Sequence, residues 1–145
     1  MECFNKNYAR VYDILYNKKN YNKEFYLIKK IIKKYLNKPT SLLDLGCGTG
    51  QYSNLMTSLK LDVTGVDSSL SMLKIAKKRY KSNKKLKFIK SKIEKINLKK
   101  KFDIISALFH ILSYQTSKNK INKFFFNSKQ HLKKNGILIF DFWYK

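Results

Sequence analysis

The sequence predicts an α/β fold in which a parallel β-sheet is covered by helices on both faces. Short apolar runs of strand length alternate along the chain with segments in which apolar residues recur at helical spacing. This alternation is typical of parallel sheets, because each parallel strand needs a crossover connection, usually a helix, before the next strand. With 145 residues, 43% of them hydrophobic, the chain is long enough for one such domain with a single core.

The first half of the chain predicts a helix, a strand and a second helix. Apolar residues recur at helical spacing over residues 25–36, and Pro39 favours an end to that helix before the next element. Residues 41–45 form a short apolar run of strand type, which leads directly into the glycine-rich segment 46–50. A second helical pattern follows over residues 52–59. The sheet is therefore expected to begin with a buried strand, a glycine turn and a helix.

The same alternation continues over the rest of the chain. The predicted elements are a strand at 62–66, a helix at 69–80, strands at 86–90 and 102–108, a helix at about 118–133 and a strand at 136–142. Asn135 and Gly136 are predicted to close the last helix as a C-cap pair, and His131 to be a surface or capping residue of that helix. We expect residues 1–38 to form an N-terminal helical cap segment and residues 39–145 to form the core domain.

The formal charge of +23 bears on the class of partner. Lys and Arg number 32 against 9 acids, which raises nucleic acid or an anionic membrane as a partner. Only Arg10 and Arg79 are arginines, although phosphate and base recognition favours the arginine fork. We therefore interpret the basic stretch 74–101 as a solvated Lys-rich face, and nucleic acid stays open as the disfavoured partner.

Cysteine content and hydropathy exclude further classes. Cys3 and Cys47 form no disulfide framework, and with two distant histidines they offer no metal-ligand spacing, so no metal site is expected. No apolar run approaches the roughly 20 residues that cross a bilayer, and the N-terminus has no apolar leader core. We expect a cytoplasmic protein that does not bind membranes.

The glycine turn carries the sharpest functional signal. Glycines at 46, 48 and 50 let the backbone turn tightly and let a ligand approach the amides at a helix N-terminus. The dinucleotide fingerprint is excluded, because Gln51 stands where it needs its third glycine. Asp67 ends the next strand about 20 residues later, where a carboxylate can accept hydrogen bonds from two ribose hydroxyls. A helix N-cap is the alternative role for Asp67, and the two roles are compatible.

Four segments together resemble the class I S-adenosylmethionine-dependent methyltransferases. They are LLDLGCGTG (42–50), VTGVDSSLSML (63–73), FDIISALFHILSY (102–114) and HLKKNGILIFDFW (131–143). The resemblance implies a Rossmann-like doubly wound sheet with strand order 3-2-1-4-5, S-adenosyl-L-methionine as cofactor and methyl transfer as the reaction. The segments VYDILYNKKNY, LFHILSY and FDFWY look like the branch that N-methylates nucleotide-linked amino sugars. A small-molecule acceptor, with an amino sugar nucleotide favoured, is the expectation that follows.

The resemblance also implies roles for individual residues. The methionine part of the cofactor would pass over Gly46 and Gly48, and Asp44 would orient this turn or the cofactor ammonium. Asp67 would hold the ribose hydroxyls, and Leu108 would lie under the sulfonium. The full set of implied cofactor-binding residues is Tyr21, Asp44, Gly46, Cys47, Gly48, Gly50, Asp67, Ser68, Met72, Lys92, Ile93 and Leu108.

One position departs from the family pattern. Many relatives carry an Asp after the third strand to bond the adenine amino group, whereas Lys92 stands in the corresponding stretch here. Backbone groups of Lys92 and Ile93 would then hold the adenine edge, while Met72 would pack beside the ring and Tyr21 would close over the cofactor carboxylate.

The acceptor side is expected to follow the fourth strand. Displacement at a sulfonium needs a base only where the acceptor loses a proton, and His110 is the imidazole placed to serve, with packing or substrate shaping as its alternative. Tyr16, Tyr114 and Trp143 would contact the acceptor, although aromatics at strand ends are equally typical of a core. The turn after the fourth strand contains no proline and no cysteine, which argues against adenine-amino and cytosine-C5 methylation.

The family domain has seven strands, and five are predicted here, without strands six and seven. Strand five would then be an uncovered apolar edge, which natural proteins rarely leave open. Either the polypeptide is a fragment or a truncated reading frame, or a second chain or a second copy covers that edge. Two alternative functions follow: a non-catalytic cofactor-binding remnant or partner subunit, and an RNA methyltransferase that uses the basic face.

Overall fold

The structure is a computed structural model that describes residues 21–143, with the side chain of Tyr21 outside the description. The helices are α1 (Tyr21–Tyr35), α2 (Gln51–Thr57), α3 (Leu70–Arg79) and α4 (Lys118–His131). The strands are β1 (Ser41–Leu45), β2 (Asp62–Asp67), β3 (Leu86–Lys90), β4 (Phe102–Ala107) and β5 (Leu132–Phe140). Two short 3-10 helices, Ile93–Lys95 and Ile111–Tyr114, precede and follow β4.

All five strands are parallel and lie in the order β3-β2-β1-β4-β5. This order confirms the predicted α/β fold and the strand order 3-2-1-4-5. β1 is central, with β2 on one side and β4 on the other, so the strand order reverses beside it. The carboxyl ends of these three strands lie side by side along one edge of the sheet, the edge that runs across the strand ends. Doubly wound sheets bind their ligands there.

Alternate residues of β1 face two cores, one on each side of the sheet. Leu42 belongs to the core to which α1 and α2 contribute Ile28 and Met56. Leu43 belongs to the opposite core, which includes Phe124 of α4. All five β1 residues are buried, as expected for a strand covered on both faces.

The last helix and the last strand meet earlier than the sequence predicts. α4 ends at His131 and β5 begins at Leu132, so Asn135 and Gly136 lie inside the strand and the predicted C-cap pair is wrong. An irregularity in the pairing of β4 with β5 accommodates these residues. A Cβ atom on Gly136 would lie 2.8 Å from the carbonyl oxygen of Asp103, so this glycine permits a close approach of the two strands.

His131 is a buried residue, and the predicted surface position is wrong. The side chain is 5% exposed at the end of α4. Its Nε2 accepts a hydrogen bond of 3.0 Å from the amide of Leu98, so the ring proton lies on Nδ1, which donates to the carbonyl oxygen of Asn127 at 2.7 Å. The imidazole therefore joins α4 to the segment between β3 and β4.

β5 forms one edge of the sheet and, within residues 21–143, pairs only with β4. The rings of Phe125 and Phe142 contact Phe140 of this strand and are 40% and 56% exposed. The expected apolar edge is thus present in the described part of the chain, and its coverage by another chain or copy stays a prediction. None of the described helices combines the length and the apolar character needed to cross a bilayer.

Candidate functional site

Three glycines shape the turn between β1 and α2. Gly46, Gly48 and Gly50 have φ angles of +74°, +55° and +79°, a backbone region that favours glycine. The amides of Gly46 and Cys47 both donate to the carbonyl oxygen of Val66, at 2.7 and 3.0 Å. These bonds hold the turn against the end of β2.

The surroundings of the three glycines differ. A Cβ atom on Gly46 would overlap Cδ1 of Ile111, and one on Gly50 would lie 2.5 Å from the ring of Phe88. A Cβ atom on Gly48 would have no neighbour within 4 Å among the described residues. Gly46 and Gly50 are therefore required by packing, whereas the backbone at Gly48 is open to a ligand.

Asp67 links this turn to the start of α3. Its Oδ2 accepts from the amide of Gly48 at 2.9 Å, and its Oδ1 accepts from the amide of Ser69 at 2.8 Å. Burial raises the pKa of Asp67, and bonds from the amides of Ser69, Gly48 and Ser68 partly offset that rise. The N-cap of α3 is Ser69, whose Oγ accepts from the amide of Met72 at 3.3 Å, so the alternative capping role assigned to Asp67 belongs to Ser69.

Asp44 lies at the point where the strand order reverses. The carboxylate is 3% exposed and accepts from Oγ of Ser53 at 2.5 Å and from Oγ of Ser106 at 2.9 Å. Burial raises the pKa of Asp44 to about 6, the two serine bonds lower it, and the charge of Asp67 adds to the rise. Asp44 thereby joins β1 to α2 and β4 directly below the glycine turn.

The segment after β4 has an unusual backbone. Phe109 and His110 both adopt left-handed conformations, with φ angles of +64° and +65°, directly after the buried Leu108. The carboxylate of Asp141 accepts from the amide of Phe109 at 3.0 Å and from that of His110 at 2.6 Å. Sequence reasoning missed Asp141, although its place directly after the apolar run of β5 marks it as an acid at the binding edge.

The predicted acceptor residues of the described segment lie together. The His110 ring lies 5.1 Å from that of Trp143, and the Tyr114 ring lies 6.1 Å from it. Trp143 is 60% exposed, and its amide donates to Oγ of Ser113 at 3.0 Å. Nδ1 of His110 has no hydrogen-bond partner among the described residues and lies 3.9 Å from Oδ1 of Asp141. The three rings therefore form an open aromatic cluster and not part of a core.

The remaining predicted cofactor residues have varied environments. Met72 is buried in α3, and Cys47 is buried in the glycine turn, where burial raises the pKa of its thiol. Ser68 and Lys92 are exposed, and Ile93 is partly buried at the start of the 3-10 helix that follows β3. Each of these positions follows, or lies within one helical turn of, the carboxyl end of a strand.

Two predicted residues fall outside the description. Tyr16 precedes the described range, and the side chain of Tyr21 is not described. Their expected contacts with the acceptor and with the cofactor carboxylate stay predictions.

Tyr52 is a second polar group that sequence reasoning missed. Its ring packs edge-on against Phe109, with 5.7 Å between centroids, and its buried hydroxyl has no hydrogen-bond partner among the residues described. Burial and the charges of Asp44 and Glu24 raise the pKa of Tyr52. The helical spacing that predicts α2 places Tyr52 on its apolar face and gives no indication of the buried hydroxyl.

The site fits the cofactor that the resemblance implies. The backbone at Gly48 borders open space, since a Cβ atom there would meet no described atom within 4 Å, and the Gly48 amide donates to the Asp67 carboxylate. Between Tyr21 and Trp143, no cluster of three His, Cys, Asp or Glu side chains could hold a metal ion.

Comparison with known proteins agrees with this reading. Residues 42–136 match the family described as the methyltransferase domain. A ubiquinone biosynthesis O-methyltransferase of Pelagibacter ubique is 37% identical over 126 residues, which are 86% of this chain and 50% of that protein. The dTDP-3-amino-3,4,6-trideoxy-α-D-glucopyranose N,N-dimethyltransferase of Streptomyces venezuelae is 25% identical over 139 residues, covering 94% of this chain and 57% of that protein.

Solved structures show the same fold. DesVI of Streptomyces venezuelae superposes with a TM-score of 0.85 at 25% identity, over 94% of this chain and 57% of that one. CalS10, an amino pentose methyltransferase from Micromonospora echinaspora solved with S-adenosylmethionine bound, gives a TM-score of 0.85 at 22% identity, over 92% and 56% of the two chains. The chain spans about half the length of the curated relatives that it matches. With its Rossmann-like sheet, its glycine turn and its family match over residues 42–136, the chain belongs to the class I S-adenosylmethionine-dependent methyltransferases.

Proposed function

We propose that this protein transfers a methyl group from S-adenosylmethionine to a small-molecule acceptor. The observation that carries the proposal is the open backbone at Gly48 beside the Asp67 carboxylate, at the edge where β1 and β2 end. Membership of the methyltransferase domain family supplies the reaction class.

The residues of this edge would divide the cofactor between them. S-Adenosylmethionine, when bound, supplies an electrophilic methyl group on a sulfonium sulfur. The backbone at Gly46 and Gly48 would carry the methionine part, and Asp67 would accept from the ribose hydroxyls. The carboxylate already accepts from the amides of Gly48, Ser69 and Ser68, and a carboxylate has about four acceptor sites, so it can hold the turn and a ribose hydroxyl together. Met72 and the backbone at 92–93 would hold the adenine.

The segments after β4 and β5 would receive the acceptor. His110, Tyr114 and Trp143 form an open aromatic cluster there, and aromatic faces can pack against the C–H face of a sugar ring or against a flat ring. The His110 side chain is 38% exposed, so its imidazole can accept the proton that an amine or a hydroxyl loses on methylation. Holding the acceptor in line with the sulfonium and excluding water would be the main contribution of the protein.

An amino group of a nucleotide-linked amino sugar is the favoured acceptor. The Streptomyces venezuelae N,N-dimethyltransferase covers 94% of this chain, and DesVI superposes with a TM-score of 0.85. A hydroxyl acceptor is the second candidate, because the Pelagibacter ubique O-methyltransferase is 37% identical.

Cofactor binding is tested by calorimetric titration with S-adenosylhomocysteine, the product form of the cofactor. We expect saturable binding with one site per chain. Absence of binding at about 1 mM ligand would overturn the cofactor assignment.

Methyl transfer is tested with labelled S-adenosylmethionine and three acceptors: dTDP-3-amino-3,4,6-trideoxy-α-D-glucopyranose, a dihydroxybenzoate and RNA. We expect label on the amino sugar. Label on the dihydroxybenzoate alone would select the hydroxyl acceptor. Label on RNA alone would overturn the small-molecule proposal and favour an RNA methyltransferase that uses the basic face. That face surrounds α3 and β3, and β3 is the outer strand on the other side of the sheet from β5. Binding of S-adenosylhomocysteine without any transfer would indicate a non-catalytic remnant or a partner subunit.

A further inference from the structure

The segments that follow β4 and β5 are joined by bonds from side chains to backbone. Asp141, directly after β5, accepts from the amides of Phe109 and His110, and Ser113, after β4, accepts from the amide of Trp143. The amide of Asp141 also donates to the carbonyl oxygen of Ala107 at 3.4 Å. The mouth of the candidate acceptor site is therefore built from two segments that depend on each other.

Phe109 and His110 need this support because their backbone is strained. A left-handed conformation is unfavourable for a non-glycine residue, because Cβ comes too close to the following carbonyl oxygen, and here two such residues are consecutive. Strain of this kind persists only where the surroundings hold it, and it is commonly found at functional sites. The two oxygens of Asp141 are the charged groups that bond these two amides, one oxygen to each.

We infer that Asp141 is a positioning residue for the acceptor side of the site. Its carboxylate holds the Phe109–His110 backbone in the left-handed conformation, and that conformation sets the His110 imidazole against the Trp143 ring, with Nδ1 3.9 Å from Oδ1 of Asp141. Asp141 itself touches neither the glycine turn nor Asp67 through any described hydrogen bond. The role rests on the proposed function of the site, and it concerns the acceptor and not the cofactor.

The variant Asp141→Asn tests the inference, because asparagine keeps the shape but places an NH₂ group against one of the two amides. Asp103→Asn is the matched control. Asp103 lies at the amino end of β4, whereas the candidate site lies at the carboxyl ends of the strands. Its carboxylate accepts from the amides of Thr40 and Ser41 and pairs with Lys133 at 2.9 Å. Both variants lose a carboxylate that receives several hydrogen bonds, but only one of these carboxylates lies at the candidate site.

Three measurements separate positioning from general stability. In Asp141→Asn, hydrogen exchange of the Phe109 and His110 amides should accelerate about tenfold, because each loses a charge-assisted bond at a partly exposed site. The emission of Trp143, the single tryptophan of the chain, should change because its contact with His110 loosens. The affinity for S-adenosylhomocysteine should stay within about twofold of the unsubstituted protein. Asp103→Asn should leave the two exchange rates, the Trp143 emission and the affinity unchanged. The two variants are compared under conditions in which their free energies of unfolding are equal.

The outcomes keep this inference distinct from the proposed function. Unchanged exchange at Phe109 and His110 in Asp141→Asn, or equal acceleration there in Asp103→Asn, would overturn the positioning role even if the protein methylates an amino sugar. If the unsubstituted protein transfers no methyl group, the exchange and emission results still decide what Asp141 does. Where transfer occurs, Asp141→Asn should lower kcat at least tenfold with the cofactor KM unchanged, and an unchanged kcat would also overturn the role.

Discussion

Asp67 combines a structural and a binding role in one side chain. It accepts from the amides of Gly48, Ser69 and Ser68, and it keeps acceptor capacity for a ribose hydroxyl. We expect Asp67→Ala to weaken S-adenosylhomocysteine binding by about 1–3 kcal/mol, because hydrogen bonds to a charged group are lost at a partly buried site. Calorimetric titration measures this change.

Asp62 provides the control for Asp67. It is an exposed acid at the amino end of the same strand, so Asp62→Ala removes the same charge away from the site. An equal loss of S-adenosylhomocysteine affinity in the two variants would assign the Asp67 effect to net charge. An Asp67→Ala affinity equal to that of the unsubstituted protein would leave Asp67 as a residue that only holds the turn.

Gly48 is predicted to matter for ligand approach more than for stability. A methyl group there meets no described atom, so Gly48→Ala should lower the free energy of unfolding only by the backbone cost at φ +55°, about 1 kcal/mol. The same methyl group occupies the open space over the turn, so S-adenosylhomocysteine affinity should fall at least tenfold. Denaturant unfolding and calorimetric titration measure the two effects.

Gly50→Ala should show the reverse pattern to Gly48→Ala. Its methyl group would lie 2.5 Å from the Phe88 ring, so the main loss is expected in stability. If Gly48→Ala loses stability as strongly as Gly50→Ala and binds S-adenosylhomocysteine normally, the open face at Gly48 is not the ligand surface.

At the level of elements, α4 is fixed to the segment before β4 by two polar side chains. His131 accepts from the amide of Leu98 and donates to Asn127, and Nδ2 of Asn127 donates to the carbonyl oxygen of Ile93 at 2.7 Å. We expect His131→Ala to lower the free energy of unfolding by about 2–3 kcal/mol, since it leaves the partly buried amide of Leu98 without its bond and removes a buried ring. Urea denaturation measures the loss.

Gln130 is the matched control, because it is the exposed neighbour of His131 on the same helix. Gln130→Ala should change stability by less than about 0.5 kcal/mol. Equal losses in the two variants would mean that helix propensity, and not the bond to Leu98, accounts for the effect.

The boundary between α4 and β5 shows where sequence reasoning stops. Periodicity predicts that each of the five strands exists and where it falls along the chain, since alternation between strand and helix patterns depends only on local sequence. The start of β5 at Leu132 depends on its pairing with β4 and on the room that Gly136 leaves beside Asp103, which are non-local properties. The burial of His131 is not predictable from local sequence for the same reason, because its partner Leu98 lies in a distant segment.

The candidate site was predictable to the extent that its residues follow strand ends. The glycine turn and Asp67 follow β1 and end β2, and motif spacing places them at one edge of the sheet. Asp141 also follows a strand, but its role depends on the left-handed conformations of Phe109 and His110, which the sequence of that segment does not indicate. Backbone strain at a non-glycine residue is visible only in the folded chain.

For the whole molecule, the buried carboxyl of Asp44 makes stability depend on pH. An unfolded aspartic acid has a pKa near 3.9, whereas burial raises the pKa of Asp44 to about 6. Between these two pKa values the folded state binds more protons than the unfolded state. The contribution of Asp44 to the free energy of unfolding therefore falls as pH rises from about 4 to 6. A shift of about two units corresponds to about 3 kcal/mol lost by pH 7.

Asp103 acts in the opposite direction, so the total pH profile does not isolate Asp44. Burial tends to raise the pKa of Asp103, but the ion pair with Lys133 and hydrogen bonds from Thr40 and Ser41 hold it below its usual value. The stabilising contribution of Asp103 is therefore present at neutral pH. It is lost as pH falls through the usual pKa of an aspartic acid and then through the lower pKa of the folded state. The effect of Asp44 must be measured as a difference between two proteins that both contain Asp103.

The variant Asp44→Asn supplies that difference. Asparagine can accept from one of Ser53 and Ser106 and donate to the other, so it keeps the connections among β1, α2 and β4 without an ionisable group. The free energy of unfolding of Asp44→Asn, minus that of the unsubstituted protein, should rise by about 2 kcal/mol between pH 4 and pH 7, because at pH 4 the unfolded carboxyl is already about half ionised. Asp62→Asn, which removes an exposed acid, is the control, and an equal rise in that variant would assign the effect to net charge. A flat difference for Asp44→Asn would show that the buried carboxyl is not protonated in the folded state within this range, and that its two serine bonds outweigh its burial.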